Sequence, residues 1–316
     1  MTRIRAIQPD ELPTFIATAT EPQHIDEIRQ YVEDLLEKGA MRIDWCYLAE
    51  RDGHPVGRGA FWTLPTRDHP LSLVLLDLPW QNEAASDVGA ALLQKMLHDA
   101  RSLGADRLEY VLDTPVQQPQ WQTHPKERAS FVEQHGFSLI RETRRFELET
   151  GKACYQSVEN HDVIFRAMDE VGETAFKDAV MRVSADTLDQ RIRTQREQRG
   201  PEEEARENVA YLKSLEYDPT WWELAYTPDE ELVGVTIPTK IPACAAIGYI
   251  GVVPEMRGQG YVDTLLARGT ATLVKTDAER IIADTDVHNT PMTNAFQRAG
   301  YTQFARPREY SVLVSE

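Results

Sequence analysis

Four residues, Arg257-Gly258-Gln259-Gly260, stand between a β-branched apolar run (Ile247 to Val253) and a helical pattern that begins at Tyr261. Their types suit one chemistry, the holding of an anion. A strand, a tight loop and a helix start point several backbone N–H groups at one spot, and the helix dipole adds partial positive charge there. Gly258 and Gly260 place no side chain in the way of a ligand, and Arg257 adds a fixed charge. The expected guest is a phosphate or pyrophosphate. The spacing is not Gly-x-x-x-x-Gly-Lys-Ser/Thr, so the nucleoside triphosphate loop is excluded.

The elements that must position such a loop are legible on both sides of it. Downstream, Asn289-Thr-Pro-Met292-Thr-Asn-Ala-Phe296-Gln-Arg-Ala-Gly300-Tyr301 reads as a capped helix followed by a strand. Asn289 suits the N-cap and Pro291 the first turn. Met292, Ala295, Phe296 and Ala299 follow helical spacing, and Gly300 stops the helix.

The two segments together resemble the GNAT superfamily of acyl-CoA-dependent N-acetyltransferases. The family loop is Arg/Gln-x-x-Gly-x-Gly/Ala, here Arg257 to Val262, with Val262 in place of the last small residue. The second block resembles the family's Asn-x-x-Met/Ala segment ending in Gly-Phe/Tyr. The resemblance implies acetyl-CoA as co-substrate and no metal. It implies that the strand splays from its neighbour near Gly251, that Gly251, Val252 and Val253 pair with the pantetheine amides, and that Arg257, Gly258, Gln259, Gly260, Tyr261 and Val262 hold the pyrophosphate. Asn289 would bond the CoA arm.

The resemblance also implies a direct attack of an amine on the thioester. A free amine is mostly protonated at neutral pH, so a base or a water chain must take a proton. Asp284, at the end of Ile281-Ile-Ala-Asp-Thr-Asp286, is the candidate base. Asp286, two residues on, faces the same side of a strand. The backbone N–H of Val252 or Val253 is the candidate oxyanion donor. The family's usual acid, a tyrosine seven residues after the asparagine, is Phe296 here. Tyr301 is therefore a candidate donor, with Tyr249, Tyr261 and His288 as further ones. Trp221 and Trp222 face opposite ways on a predicted strand; one belongs to the core, and Trp222, Tyr249 and Asp286 are candidates for the acceptor pocket.

Composition bounds the rest. The formal net charge is −17, which argues against a nucleic-acid backbone as partner and is compatible with steering a cationic amine. No apolar run reaches membrane-spanning length, and the first residues lack a signal-peptide core. Cys46, Cys154 and Cys244 are single and widely spaced, which points to no disulfide framework and to a reducing, cytoplasmic setting.

At 316 residues the chain accommodates two domains, and its halves repeat one order of elements. Predicted strands at 3–7, 45–50, 56–64, 71–78, 107–113 and 137–149 in the first half alternate with predicted helices at 10–19, 24–37, 86–103 and 127–135. The second half has predicted strands at 163–168, 221–226, 232–237, 245–253, 280–285 and 301–314, and helices at 173–181, 186–199, 201–215, 261–275 and 290–299. Pro201-Glu-Glu-Glu204 sits at a helix start with acids over the dipole's positive end. The junction is placed at Thr150 to Asn160. Gln117-Gln-Pro-Gln-Trp-Gln122 reads as a loop inside the first domain.

The expectation is an α+β (mixed α/β) chain of two tandem GNAT-like domains, each a mostly antiparallel twisted sheet flanked by helices. Residues 1–150 would form a degenerate domain that does not bind CoA. Its loop, Leu78 to Gly89, has no match to Arg257, carries Asp87 where the first family glycine would be and Glu83 nearby, and reads as about two residues longer. A carboxylate about 4 Å from a phosphate costs about 4 kcal/mol near a protein surface. Residues 160–316 would form the N-acetyltransferase domain, acting on a primary amine, most simply of a small molecule. A protein or peptide acceptor, or a non-catalytic acyl-CoA-binding role, are the alternatives. The expected partners are acetyl-CoA and the amine, with the protein a monomer or homodimer.

Overall fold

The computed structural model describes residues 2–19, 21–81, 84–151, 162–241 and 244–314. The chain divides into two compact units, Met1–Glu142 with Arg306–Glu316 (unit 1) and Thr143–Ala305 (unit 2). The predicted junction at 150–160 lies largely outside the described residues, as do Glu83 and Cys154.

Unit 1 runs β1 (Thr2–Ala6), α1 (Leu12–Ala17), α2 (Ile25–Glu37), β2 (Cys46–Arg51), β3 (His54–Trp62), β4 (Ser72–Asp77), α3 (Ala84–Ser102), β5 (Arg107–Leu112), α4 (Pro125–Gln134) and the start of β6 (Ser138–Glu149). Strands β1 to β4 pair antiparallel in order, and β4 and β5 pair parallel. Alternation along each strand gives the sheet two apolar faces. One packs on α3 and α4 through Leu92, Met96 and Val132; the other packs on α1 and α2 through Phe15, Ile28 and Val32.

Unit 2 takes up the later residues of β6 and continues with β7 (Ile164–Ala167), α5 (Met168–Val183), α6 (Gln190–Arg199), α7 (Pro201–Lys213), β8 (Glu223–Tyr226), β9 (Leu232–Ile241), β10 (Cys244–Val252), α8 (Tyr261–Val274), β11 (Arg280–Asp286), α9 (Thr290–Arg298) and β12 (Thr302–Ala305). Strands β7 to β10 pair antiparallel, and β10 and β11 pair parallel. Helices α5 and α7 cover one face through Phe176, Val180 and Val209, and α8 and α9 cover the other through Leu266, Leu273 and Phe296. No described helix is long and apolar enough to cross a membrane.

The order of elements follows the sequence reading closely, but the last strands do not. The sequence assigned Tyr301 to Val314 to the second domain. The final strand, β13 (Arg308–Leu313), instead lies in unit 1, between β5 and the first residues of β6, antiparallel to both. In unit 2 the place beside β11 is filled by the later part of β6, from Arg280↔Glu149 to Asp286↔Thr143. An unpaired strand edge demands a partner, and pattern alone does not say which segment supplies it.

Candidate active site

The site begins where two strands of unit 2 part. β10 and β11 keep parallel register only at Ala245↔Ile281 and Ala246↔Ile282. Past these pairs, β10 continues on β9 and β11 continues on β6. The divergence thus opens from Ala246, earlier than the Gly251 expected from sequence. Its cause is local: the β9–β10 register shifts between Ile247 and Tyr249, so Gly248 is an extra residue, and a bulge bends the strand that carries it.

Backbone direction within the opening follows from alternation. The Val253 N–H donates to Val233 on β9 (2.9 Å). In an antiparallel ladder the neighbouring residue turns its backbone the other way, so Val252 and Ile250 face the opening. The Val252 carbonyl accordingly accepts from Arg257 Nε (3.1 Å) rather than from β9. Of the two oxyanion candidates, Val252 has its N–H on the open side and Val253 does not. Gly251 is needed for a different reason: a Cβ there would stand 2.2 Å from Val183 on α5.

The loop after β10 forms a tight turn at Pro254–Met256 and then passes through two left-handed glycines, Gly258 (φ +77°) and Gly260 (φ +88°). A side chain at Gly258 would meet nothing within 4 Å, so backbone conformation is what requires glycine there. The first bond inside α8 is Asp263 N–H to the Gly260 carbonyl (3.1 Å). The N–H groups of Gly258, Gln259 and Gly260 precede it, at the exposed start of a helix, where the helix dipole favours negative charge. Asp263, in that first turn, is ion-paired with Arg298 (2.7 Å). The pair offsets the negative charge of a carboxylate beside these N–H groups, and sequence spacing did not reveal it.

Arg257 corrects the sequence reading. Its guanidinium donates to four backbone carbonyls: Val252 (3.1 Å), Val183 (2.9 Å), Ala185 (2.7 Å) and Asp186 (3.3 Å). Its own N–H goes to Pro254 (3.3 Å). It contributes charge to the loop, but its donors pin the α5–α6 connection to the end of β10. Asp286 does the matching work on the other strand. It is 2% exposed, and its carboxylate accepts the N–H groups of Gln190 (3.2 Å), at the start of α6, and His288 (3.0 Å). The segment from Val183 to Gln190 is therefore fastened to the ends of both diverging strands. Asp286 is consumed by that fastening and is not free for an acceptor.

Asn289 caps α9 as read from sequence, its carboxamide oxygen accepting from Met292 N–H (3.2 Å). The carboxamide nitrogen has two hydrogens to give and no bond among the described residues. Asp284 is exposed and clamped by Arg145, with Nε at 2.9 Å from one oxygen and Nη2 at 2.9 Å from the other. Tyr301 is 3% exposed, and its hydroxyl is paired with Thr270 on α8 (2.8 Å). It is a core residue, which removes it as a proton donor at the site. Trp222 is likewise core: it is fully buried, and its Nε1 donates to the Pro238 carbonyl (3.0 Å). Tyr249 packs on the α5–α7 face, the face that Gly251 shares by alternation. Burial pushes its phenol well above the usual tyrosine range, reinforced by the charge of Glu204.

In sequence Glu204 is one of three acids at a helix start, over the positive end of the dipole. In the structure it is also buried, 1% exposed, accepting from Ser184 Oγ (2.9 Å) and Asn208 Nδ2 (3.3 Å), with Arg196 at 3.8 Å. Burial raises its pKa, against the hydrogen bond from Ser184. The available signal was periodicity, since Glu204, Asn208 and Leu212 lie four apart on one helix face.

The corresponding turn of unit 1 differs more than sequence suggested. α3 starts at Ala84, so the connection from β4 runs 78–83, against 253–260 from β10 to α8. It is shorter, not longer, because the helix begins earlier. Asp87 is an exposed residue of the helix's first turn. Gly89 is a packing glycine, where a Cβ would stand 2.5 Å from Leu78 and 2.7 Å from Phe131.

Comparison with known proteins agrees with this geometry. Residues 185–301 match the model of the acetyltransferase (GNAT) family. No curated protein matches the chain significantly. Among solved structures, a GCN5-related N-acetyltransferase from Sphaerobacter thermophilus is similar over 100% of this chain and 96% of its own, at 15% identity and TM-score 0.65. A tandem GNAT protein from the clavulanic acid biosynthesis pathway is similar over 100% and 99%, at 15% identity and TM-score 0.55. The glucosamine N-acetyltransferase region of a fungal multi-domain GH3 β-N-acetylglucosaminidase is similar over 98% of this chain and 38% of that one, at 13% identity and TM-score 0.60. Residues 185–301 therefore carry a match to the GNAT acetyltransferase family, and the chain as a whole has a fold similar to that of a tandem GNAT protein.

Proposed function

We propose that unit 2 transfers the acetyl group of acetyl-CoA to a primary amine, most simply that of a small molecule, and that unit 1 does not bind CoA. The observation that carries this reading is the opening between β10 and β11 past Ala246 and Ile282, lined by the Val252 backbone and leading into the loop of Gly258 and Gly260. The pyrophosphate would rest on the N–H groups at the start of α8, and Asn289 Nδ2 would bond the pantetheine arm. The Val252 N–H would receive charge developing on the thioester oxygen. Asp284 is engaged by Arg145, so the amine's proton would leave through water. Tyr249, neutral at working pH, would line the acceptor side. The free thiols of Cys46 and Cys244 support a reducing compartment.

A second reading, an acyl-CoA-binding protein without turnover, is favoured by one observation. Phe296, at the family's usual acid position, is 1% exposed and packs on Phe146 and Tyr301 (ring centroids 5.2 and 5.4 Å). It has no proton to give, although a thiolate of pKa about 8.5 can leave unassisted.

Isothermal titration with acetyl-CoA tests both. One site per chain is expected, weakened at least about 100-fold (about 2.7 kcal/mol) by Gly260→Glu and unchanged by Ser86→Glu in unit 1. Retained binding in Gly260→Glu would reject the loop assignment. Binding without transfer to any amine in a broad acceptor screen would favour the second reading.

A further inference from the structure

Unit 1 contains the same parting of a parallel strand pair, and there it is filled. β4 and β5 keep register only at Ser72↔Glu109 and Leu73↔Tyr110. Past that point, backbone groups on both strands bond to side chains of one loop. The Leu75 N–H donates to Gln120 Oε1 (3.0 Å). On β5, Gln122 Nε2 donates to the Val111 carbonyl (2.8 Å), and its Oε1 accepts the Asp113 N–H (3.1 Å). Gln122 is 5% exposed.

The residue between the two glutamines holds the loop from the outside. Trp121 stacks on His24 beside α2 (centroids 3.8 Å, interplanar angle 16°), and its Nε1 donates to Glu27. The far end is held by Arg128 on α4, which donates to the Thr123 and Leu76 carbonyls and to Asp77. The loop exists because this connection is long: 113–124 joins β5 to α4, whereas in unit 2 the corresponding connection from β11 to α9 is 287–289. In unit 2 the short connection ends on Asn289.

We propose that the segment Gln117–Thr123 is a built-in occupant of the unit 1 cleft. Its two glutamines, carboxamides like those of an extended amide ligand, take the strand-edge positions of β4 and β5, and Trp121 locks them in. The unit is thus closed to acyl-CoA by its own chain, in addition to lacking a glycine loop. Naming acyl-CoA as the excluded ligand rests on the function proposed above; the occupancy of the cleft does not.

Hydrogen–deuterium exchange on the full chain tests the two parts separately. Without ligand, Gln120→Ala and Gln122→Ala should speed exchange at least tenfold in segments 72–78 and 109–115, with the overall fold retained by circular dichroism; unchanged exchange would overturn the occupant. Trp121→Ala, which removes the stack on His24 and the bond to Glu27 but no backbone hydrogen bond to either strand, should speed the same segments, and failure to do so would overturn the lock. With saturating acetyl-CoA, the wild type should gain protection at 250–262 and none at 72–78 or 109–123. A ligand-induced change at 109–123 would show a displaceable lid over a working site and overturn closure. Absence of protection at 250–262 would count against the function of unit 2 and leave the variant results to decide the occupant.

Discussion

The carboxylate of Asp284 lies flat against the guanidinium of Arg145, Nε at 2.9 Å from one oxygen and Nη2 at 2.9 Å from the other. The two residues are also direct partners in the β11–β6 ladder. A general base needs a lone pair aimed at the proton it removes, and this geometry aims both oxygens across the sheet. Asp284→Asn is therefore expected to lower kcat less than about tenfold, and Arg145→Gln to have a similar small effect. Removal of a true base costs about 10²–10⁴-fold. A loss of that size in Asp284→Asn, with KM retained and the pH profile altered, would return Asp284 to the mechanism.

Arg257 separates two roles that sequence cannot distinguish, binding phosphate and building the site. Its guanidinium already bonds the Val183, Ala185 and Asp186 carbonyls, partners within the chain itself. Arg257→Ala should speed amide exchange across 184–190 by about tenfold in the ligand-free protein, as well as weakening acetyl-CoA. Arg257→Lys should rescue little, because one ammonium cannot reproduce a fork of fixed donors. A variant with weakened acetyl-CoA binding and unchanged exchange at 184–190 would show that the side chain serves the phosphate alone.

What was legible in the sequence was local. The strand of Ile247 to Val253, the two glycines, the cap at Asn289 and the stop at Gly300 all follow from short-range rules, and each element formed where its pattern placed it. The assignments that failed depended on partners far along the chain. Tyr301 has the right chemistry for an acid, but its hydroxyl meets Thr270. Asp286 has the right alternation for a pocket, but Gln190 arrives on it from a helix start about a hundred residues earlier. β13 has an ordinary strand pattern and joins unit 1 because β5 has an edge to fill. Type and spacing propose a role for a side chain; its hydrogen-bond partners decide whether it is free to act.

The charged cluster at the end of β4 should dominate the stability of unit 1. Asp77 accepts from Arg58 Nε (3.0 Å) and Nη2 (2.8 Å) and from Arg128, and all three side chains are buried. Burial works against ionisation of Asp77, but the two guanidinium groups hold its pKa below the usual carboxylate range. Asp77→Ala leaves two buried cations without a counter-charge, an expected loss of about 3–5 kcal/mol and a fall in Tm of about 10 °C. A depressed carboxylate stabilises above its unfolded pKa near 4 and loses that contribution as pH falls through the lower folded value. The difference in Tm between wild type and variant should therefore persist from neutral pH to about pH 4 and shrink only in stronger acid. A difference under about 1 kcal/mol at pH 7 would show that the cluster is no better than a surface pair.

Glu204 should give the opposite pH signature. Burial raises its pKa above the ordinary value of 4.5, and Ser184, Asn208 and Arg196 only partly offset this. The folded state therefore holds the proton more tightly than the unfolded one, and stability falls as pH rises from about 4.5 through the folded value. Glu204→Gln keeps the size and a hydrogen-bonding side chain but cannot ionise. It is expected to be less stable than, or equal to, wild type at pH 4 and to gain on it as pH rises through the folded pKa of Glu204, levelling off above it, as read by urea midpoints at half-unit steps. Because Ser184 follows Val183, which touches Gly251, the same variant should leave acetyl-CoA affinity within about threefold if Glu204 serves only packing. A stability difference independent of pH would mean that the carboxylate is ionised and fully paired in the folded protein.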